Sequence, residues 1–216
     1  MELPRYIVVE GPIGVGKTTL VERFATRHNA RKVLEIFEEN PFLPGFYRDR
    51  ARYAFQTEMF FLLSRYQQQT GLAQGDLFAR HTVSDYLFVK TRLFAGLTLS
   101  DDELTLYDRI YTMLEAQVAK PDLVIYLHAP VEVLLERIHR RGRQMEQTIE
   151  ASYLEDLSRI YANYFREFDD APLLTVNAAT FNFAADPTAV DRLLEAVGRM
   201  TTRRAYLEGA VFVDPA

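Results

Sequence analysis

The chain has 216 residues, a formal net charge of −5, 48% hydrophobic and 25% charged residues, and no cysteine. That length suits one domain with a full core. The negative balance argues against a generic nucleic-acid binder, which is normally basic, and the missing cysteine removes disulfide frameworks and thiolate metal sites. No apolar run approaches membrane-spanning length and no signal-peptide core opens the sequence, so a cytoplasmic enzyme without membrane attachment is expected.

In chain order, short apolar runs predict strands over residues 5–9, 32–36, 81–84, 123–127 and 173–176. Longer amphipathic stretches between them predict helices over 18–28, 52–69, 101–119, 131–140, 149–168 and 187–200. Strands alternating with helices imply βαβ units, hence an α/β fold with a parallel sheet flanked by helices. Neither an internal repeat nor a low-complexity linker divides the chain. One domain is expected over residues 1–203, with a loosely patterned, partly disordered tail over 204–216. The helices at 52–69 and 101–119 are richer in apolar residues than one core face requires. Such helices are buried by more than one neighbour: they are central core helices, or they build a homodimer interface.

The first strand runs directly into Gly11-Pro12-Ile13-Gly14-Val15-Gly16-Lys17-Thr18-Thr19, followed by a helical segment. This is G-x-x-x-x-G-K-T in a strand–loop–helix context, a phosphate-binding P-loop. Gly11, Gly14 and Gly16 let the backbone approach phosphate closely. Successive N–H groups and the helix N-terminus present positive partial charge. Lys17 adds a full charge for β- and γ-phosphates, and the Thr18 hydroxyl is a Mg²⁺ ligand. Pro12, Ile13, Val15 and Thr19 complete the donor-binding loop, with ATP as the expected donor.

After the second strand comes Glu35-Ile36-Phe37-Glu38-Glu39-Asn40-Pro41. Ligands of open α/β sheets bind beyond the carboxyl ends of strands. Glu35, at the expected strand end, is the candidate general base for an attacking hydroxyl, whereas Glu38 and Glu39 read as solvent-facing. Farther on, Arg137, Arg140, Arg141 and Arg143 fall within seven residues. They form either a solvated helix end, where cations complement the dipole, or a mobile arginine lid over residues 137–146 that neutralises charge on a transferring phosphate. The P-loop favours the lid.

Together, the P-loop, Glu35 with Asn40-Pro41, the Phe46-Tyr47 pair, the helix ending Leu63-Ser64-Arg65 and the lid resemble the deoxyribonucleoside kinase family from Ile7 to about Phe168. The resemblance implies a nucleoside-monophosphate-kinase-like fold with a five-stranded parallel sheet, usually as a homodimer. It also implies transfer of the γ-phosphate of Mg-ATP to the 5′-hydroxyl of a deoxynucleoside. On it, Glu35 is the base and Arg65 orients it. Tyr47 and Glu146 hold the sugar, while Arg137 and Arg141 clamp phosphates with Arg143 nearby.

Base recognition departs from the family pattern. Many members carry glutamine seven residues before the helix arginine; here Glu58 precedes Arg65, and Gln56 should point elsewhere on the helix. The family's acid-Arg-Ser motif becomes Ser84-Asp85-Tyr86, with Lys90 where an aspartate is usual. One register puts Asp85 at the arginine position; a one-residue slip puts it at the acid, where it holds Mg²⁺. In either register the motif arginine is missing. Carboxylates only accept hydrogen bonds, and can take two donors side by side. Glu58 therefore suits guanine N1–H and N2–H, and Lys90 suits the O6 or N7 acceptors. Deoxyguanosine is the expected acceptor. A deoxyadenosine or mixed-purine kinase, a thymidylate-kinase-like monophosphate kinase and a non-catalytic nucleotide switch are the alternatives.

Overall fold

Tyr6–Glu10 (β1) is apolar and β-branched at its centre, with Ile7, Val8 and Val9 all buried, as a parallel strand covered on both faces must be. The computed structural model describes residues 3–72, 80–186 and 188–214. Among them, six further strands join β1 in one sheet: β2 (Arg31–Val33), β3 (Thr82–Ser84), β4 (Leu123–His128), β5 (Leu173–Asn177), β6 (Arg204–Glu208) and β7 (Val211–Val213). Their order is β2-β3-β1-β4-β5-β6-β7, parallel throughout except for the antiparallel β6–β7 pair.

The helices are α1 (Lys17–His28), α2 (Leu43–Phe46), α3 (Arg50–Thr70), α4 (Lys90–Thr98), α5 (Asp101–Glu115), α6 (Val131–Arg141), α7 (Ala151–Glu167) and α8 (Ala189–Arg199). Their ends follow local chemistry. Asp49 caps α3 by accepting the Arg52 N–H at 3.3 Å. The Ser100 N–H donates to Glu103 at 3.0 Å before α5, half of a capping box. Asn29 and Gly142 end α1 and α6 in left-handed backbone.

Side chains alternate across the sheet. Ile7, Val9, Ile125, Leu127, Leu174 and Val176 pack with α1, α6 and α8 through Phe24, Leu134, Ile138, Leu193 and Val197. On the opposite face Val8, Val124, Tyr126 and Leu173 meet Leu157, Tyr161 and Phe165 of α7. Helices α3, α4 and α5 form a separate cluster around Leu62, Phe88 and Tyr107. No helix among the described residues is long and apolar enough to cross a membrane.

The five expected strands form the parallel core, with shifted bounds. Residues 32–36 were expected to be strand, but β2 stops at Val33, because the chain turns there to give the Glu35 N–H to Asp85 and the Leu34 carbonyl to Gln68. The sheet has seven strands rather than five, because the expected disordered tail contributes β6 and β7. Ala205 and Leu207 are buried while Tyr206 and Glu208 are exposed, the alternation of a one-sided strand. Pro187, expected to open the last helix, and the final two tail residues lie outside the described residues. Helix α4 was not expected.

Candidate active site

The P-loop joins β1 to α1. Gly11 has φ +149°, and a Cβ there would lie 2.2 Å from the Leu127 carbonyl oxygen of β4. At Gly14, φ is +84° and a Cβ would lie 2.8 Å from the Leu134 oxygen of α6. The loop is thus wedged between β4 and α6, and glycine is a packing as well as a conformational requirement. Arg137 of α6 reinforces it, donating to the Val15 carbonyl at 2.9 Å and to Ala178 at 2.8 Å. Lys17 Nζ donates to the carbonyls of Gly11 at 2.7 Å and Pro12 at 3.0 Å. Burial, then the nearby Lys90 charge, pull its ammonium down to about 8.

Glu10, directly before the loop, is fully buried. Its carboxylate accepts the Gly11 N–H at 3.0 Å, the Leu87 N–H at 2.5 Å and the Tyr161 hydroxyl at 2.9 Å. It ties the P-loop to the segment after β3 and to α7. Sequence reasoning missed it: an acid ending a strand reads as a loop residue, and its partners are distant in sequence.

Thr18 Oγ1 donates to Asp85 Oδ2 at 2.7 Å, while Asp85 Oδ1 accepts the Glu35 N–H at 2.8 Å. Asp85 thus bridges the P-loop to the segment bearing Glu35. A hydroxyl and a carboxylate side by side at the phosphate end are the hard oxygen ligands Mg²⁺ uses when phosphates complete its shell.

Glu35 sits between two cations. Arg65 donates through Nε to Glu35 Oε1 at 3.0 Å and through Nη2 to the same oxygen. Lys90 Nζ reaches Oε2 at 2.5 Å. Burial disfavours the Glu35 charge, but Arg65 and Lys90 outweigh it and hold the carboxyl far below the usual range. Lys90, expected to meet a base edge, here places its ammonium against Glu35, entering at the first turn of α4 and facing the end of β2. It supplies a cation beside Glu35 in a chain whose Ser84-Asp85-Tyr86 segment has none.

Glu58 stands one face along α3. It is 2% exposed, its Oε1 accepts from Thr98 at 3.2 Å, and its Oε2 is buried without a partner. Burial pushes its carboxyl up to about 7, with Arg65 opposing. Gln56 is exposed, as the helical spacing required. Thr57 Oγ1, Arg65 Nη1 and Tyr107 hydroxyl oxygen are also buried and unpartnered. Buried polar atoms are normally satisfied; of these residues Thr57 and Arg65, with Glu58, line one cleft. Tyr107, on α5, carried no sequence signal, since it looked like one more apolar position.

This cleft, of about 420 Å³, is lined by Lys17, Glu35, Tyr47, Glu58, Arg65 and Glu146, among others. Glu146 is 6% exposed and accepts from Arg141 Nε at 3.1 Å and from Arg143 at 3.4 Å. Arg143 also stacks 4.0 Å over Phe37. Glu38 and Glu39 are exposed. A second cleft, about 620 Å³, opens on the other side of the P-loop between Thr19, Arg137, Arg140 and Phe183. Of the expected phosphate clamps, Arg141 and Arg143 line both clefts, whereas Arg137 is drawn into backbone contacts.

Residues 7–202 match the deoxynucleoside kinase family. The chain is 36% identical over 198 residues to a deoxyguanosine kinase of Bacillus subtilis (strain 168), covering 89% of this chain and 96% of that protein. It is 30% identical over 199 residues to the deoxyadenosine/deoxycytidine kinase of the same organism, covering 88% and 90%. A deoxyadenosine kinase of Dictyostelium discoideum is 31% identical over 195 residues, covering 88% and 78%. Among solved structures, deoxyadenosine kinase from M. mycoides with bound dATP superposes with a TM-score of 0.78 at 21% identity, covering 90% of this chain and 99% of that one. That likeness carries the fold.

Proposed function

Since the chain belongs to the deoxynucleoside kinase family, we propose that it transfers the γ-phosphate of ATP to the 5′-hydroxyl of a purine deoxynucleoside, deoxyguanosine foremost. The observation that carries the purine assignment is Glu58, a buried carboxylate with an unpartnered oxygen in the cleft that also holds Glu35. Guanine offers N1–H and N2–H side by side to two acceptors. Adenine offers ionised Glu58 an acceptor at N1, a mismatch costing about 1–3 kcal/mol when buried.

In this reading the P-loop amides of residues 13–19 and Lys17 hold the donor phosphates. Thr18 and Asp85 would hold Mg²⁺, which would supply positive charge against the donor phosphates. Glu35 accepts a hydrogen bond from the 5′-hydroxyl and takes its proton as the oxygen bonds to the γ-phosphorus and the bond from that phosphorus to the β-phosphate oxygen breaks, releasing ADP. Arg65 and Lys90 keep Glu35 ionised and oriented, so no deprotonation step precedes attack. If the Lys90 ammonium turns from Glu35 toward the transferring phosphoryl group, Glu35 gains basicity as charge develops there. Tyr47 and Glu146 hold the deoxyribose. Arg141 and Arg143 close on the phosphates, and Arg137 positions the loop through its carbonyl contacts. The cytoplasmic homodimer belongs to the same proposal: Leu63 of α3 and Leu106 and Met113 of α5 are exposed at 51%, 50% and 72%, apolar side chains that a second copy would cover.

The test is kcat/KM for deoxyguanosine, deoxyadenosine, deoxycytidine and thymidine with Mg-ATP at about pH 8. A deoxyguanosine preference of roughly tenfold or more, the scale of the mismatch, is expected. A deoxyadenosine preference would leave the kinase standing and remove Glu58 as a guanine reader. Phosphorylation of none would turn the search to a monophosphate acceptor, and ADP production indifferent to every acceptor would favour a nucleotide switch.

A further inference from the structure

Glu58 is unusual among the buried charged groups of this cleft. Glu35 has taken both nearby cations, Arg65 and Lys90. The groups facing Glu58 are Arg65 on its own helix, Glu35 from the segment after β2, Lys90 and Thr98 from α4, Tyr107 from α5 and Tyr153 from α7. Among the described residues only the neutral Thr98 hydroxyl reaches it with a hydrogen bond, at 3.2 Å. Arg65 Nη1 is buried and meets no acceptor, so the nearest guanidinium stops short of Glu58. One carboxyl oxygen is therefore buried and uncommitted, on a side chain that lines the cleft.

Such a carboxyl has two usable forms. Ionised, it is a pair of acceptors; protonated, it is one donor beside one acceptor. The two purines present matching alternatives. Guanine shows N1–H and N2–H, two donors. Adenine shows N1, an acceptor, beside N6–H, a donor.

We propose that Glu58 reads both purines, accepting from N1–H and N2–H of guanine when ionised, and when neutral donating to N1 and accepting from N6–H of adenine, so that acid makes the protein a deoxyadenosine kinase. This rests on the kinase reading above and deepens it. Burial brings the Glu58 carboxyl up to about 7, which puts the exchange of forms near neutral pH. Each mismatched pairing leaves a buried group opposed, a loss on the order of ten- to a hundredfold.

The experiment is a competition. Deoxyguanosine and deoxyadenosine are phosphorylated in one tube with Mg-ATP at a series of pH values from about 5.5 to about 8.5. The product ratio gives the ratio of kcat/KM, in which titrations of the donor and of residues that act alike on both purines cancel. The expected ratio of guanine to adenine product rises roughly tenfold per pH unit around the middle of the series, because one substrate needs the proton that the other excludes. Glu58→Gln provides the second arm. Its amide permanently offers N–H beside C=O, so the ratio should shift toward adenine and stop changing with pH. A flat ratio in the wild type with both purines phosphorylated would overturn the two-form reading and leave the kinase intact. A slope surviving in Glu58→Gln would assign the titration to another group and overturn it too. If neither purine were phosphorylated at any pH, the underlying reading would fall and take this one with it.

Discussion

Glu35→Gln would remove one negative charge from between two buried cations while keeping the shape of the side chain. The Arg65 and Lys90 side chains are 4% and 6% exposed, and Glu35 itself is 17% exposed. Breaking a buried pair by neutralising one partner costs about 3–5 kcal/mol, because it strands the other charge. Glutamine retains one acceptor oxygen for Arg65, so the lower end, about 3 kcal/mol, is the expected loss. For a chain of this size that corresponds to a fall in Tm of about 6–12 °C. Turnover should drop on the order of 10²–10⁴-fold if Glu35 is the base, with donor affinity largely kept. Urea unfolding gives the stability change, ADP production gives turnover, and ATP titration calorimetry gives donor affinity. Adding Lys90→Met should recover part of the stability, about 1–3 kcal/mol of coupling, and none of the activity. Acid provides a further check. The Glu35 carboxyl is held far below 4.5 in the folded chain, so its stabilisation is complete above the unfolded value and is lost as pH falls toward the folded one. The difference between wild type and variant must therefore shrink on acidification below about pH 4. A variant as stable as wild type at neutral pH would refute the two-cation account, and near-wild-type turnover would refute the base.

Gly11→Ala should cost several kcal/mol, about 2–4, and abolish ATP binding, since its Cβ would sit 2.2 Å from a backbone oxygen at φ +149°; normal ATP affinity in a folded variant would contradict the wedge. Tyr161→Phe removes one of three hydrogen bonds to buried Glu10 and should destabilise by about 1–3 kcal/mol in urea unfolding, whereas an unchanged midpoint would mean that Glu10 is held by its amide donors alone. Glu58→Gln should stabilise at alkaline pH. The folded carboxyl is raised to about 7 from 4.5, so ionising it destabilises the fold progressively as pH rises between those values. The variant escapes that loss and should exceed wild type by up to about 3 kcal/mol at pH 8, with little difference near pH 4; equal stability at pH 8 would show that Glu58 ionises without penalty.

The sequence carried those parts of the site that are local. The P-loop sits in one contiguous run, and Glu58 and Arg65 are spaced to share the inner side of α3. The parallel core was legible because its strands are continuous apolar runs between amphipathic helices. Features that depend on which segments meet were not legible. The partner of Lys90 is set by α4 approaching the end of β2, and α4 itself was hidden in a mixed apolar stretch, Leu93 to Leu97, with no cap to announce it. Strand β6 did carry a period-two signal in Arg204-Ala205-Tyr206-Leu207-Glu208, but five residues at a chain end give alternation little weight. Glu10 needs Leu87 and Tyr161, 77 and 151 residues away, before its charge makes sense.

Arg137 has a consequence for how the protein acquires its nucleotide site. One guanidinium joins the Val15 carbonyl, 122 positions away in the chain, to those of Ala178 and Phe181, 41 and 44 positions away on the other side. The phosphate-binding motif is thus contiguous in sequence yet assembled from the beginning, middle and end of the chain. Contacts of such separation form only after long loops have closed. Anion binding is in that sense an emergent property of the finished molecule, and an N-terminal fragment bearing every motif residue would still lack a shaped loop. On the proposed function, a bound nucleotide would therefore report on global folding and stabilise the native state alone by mass action.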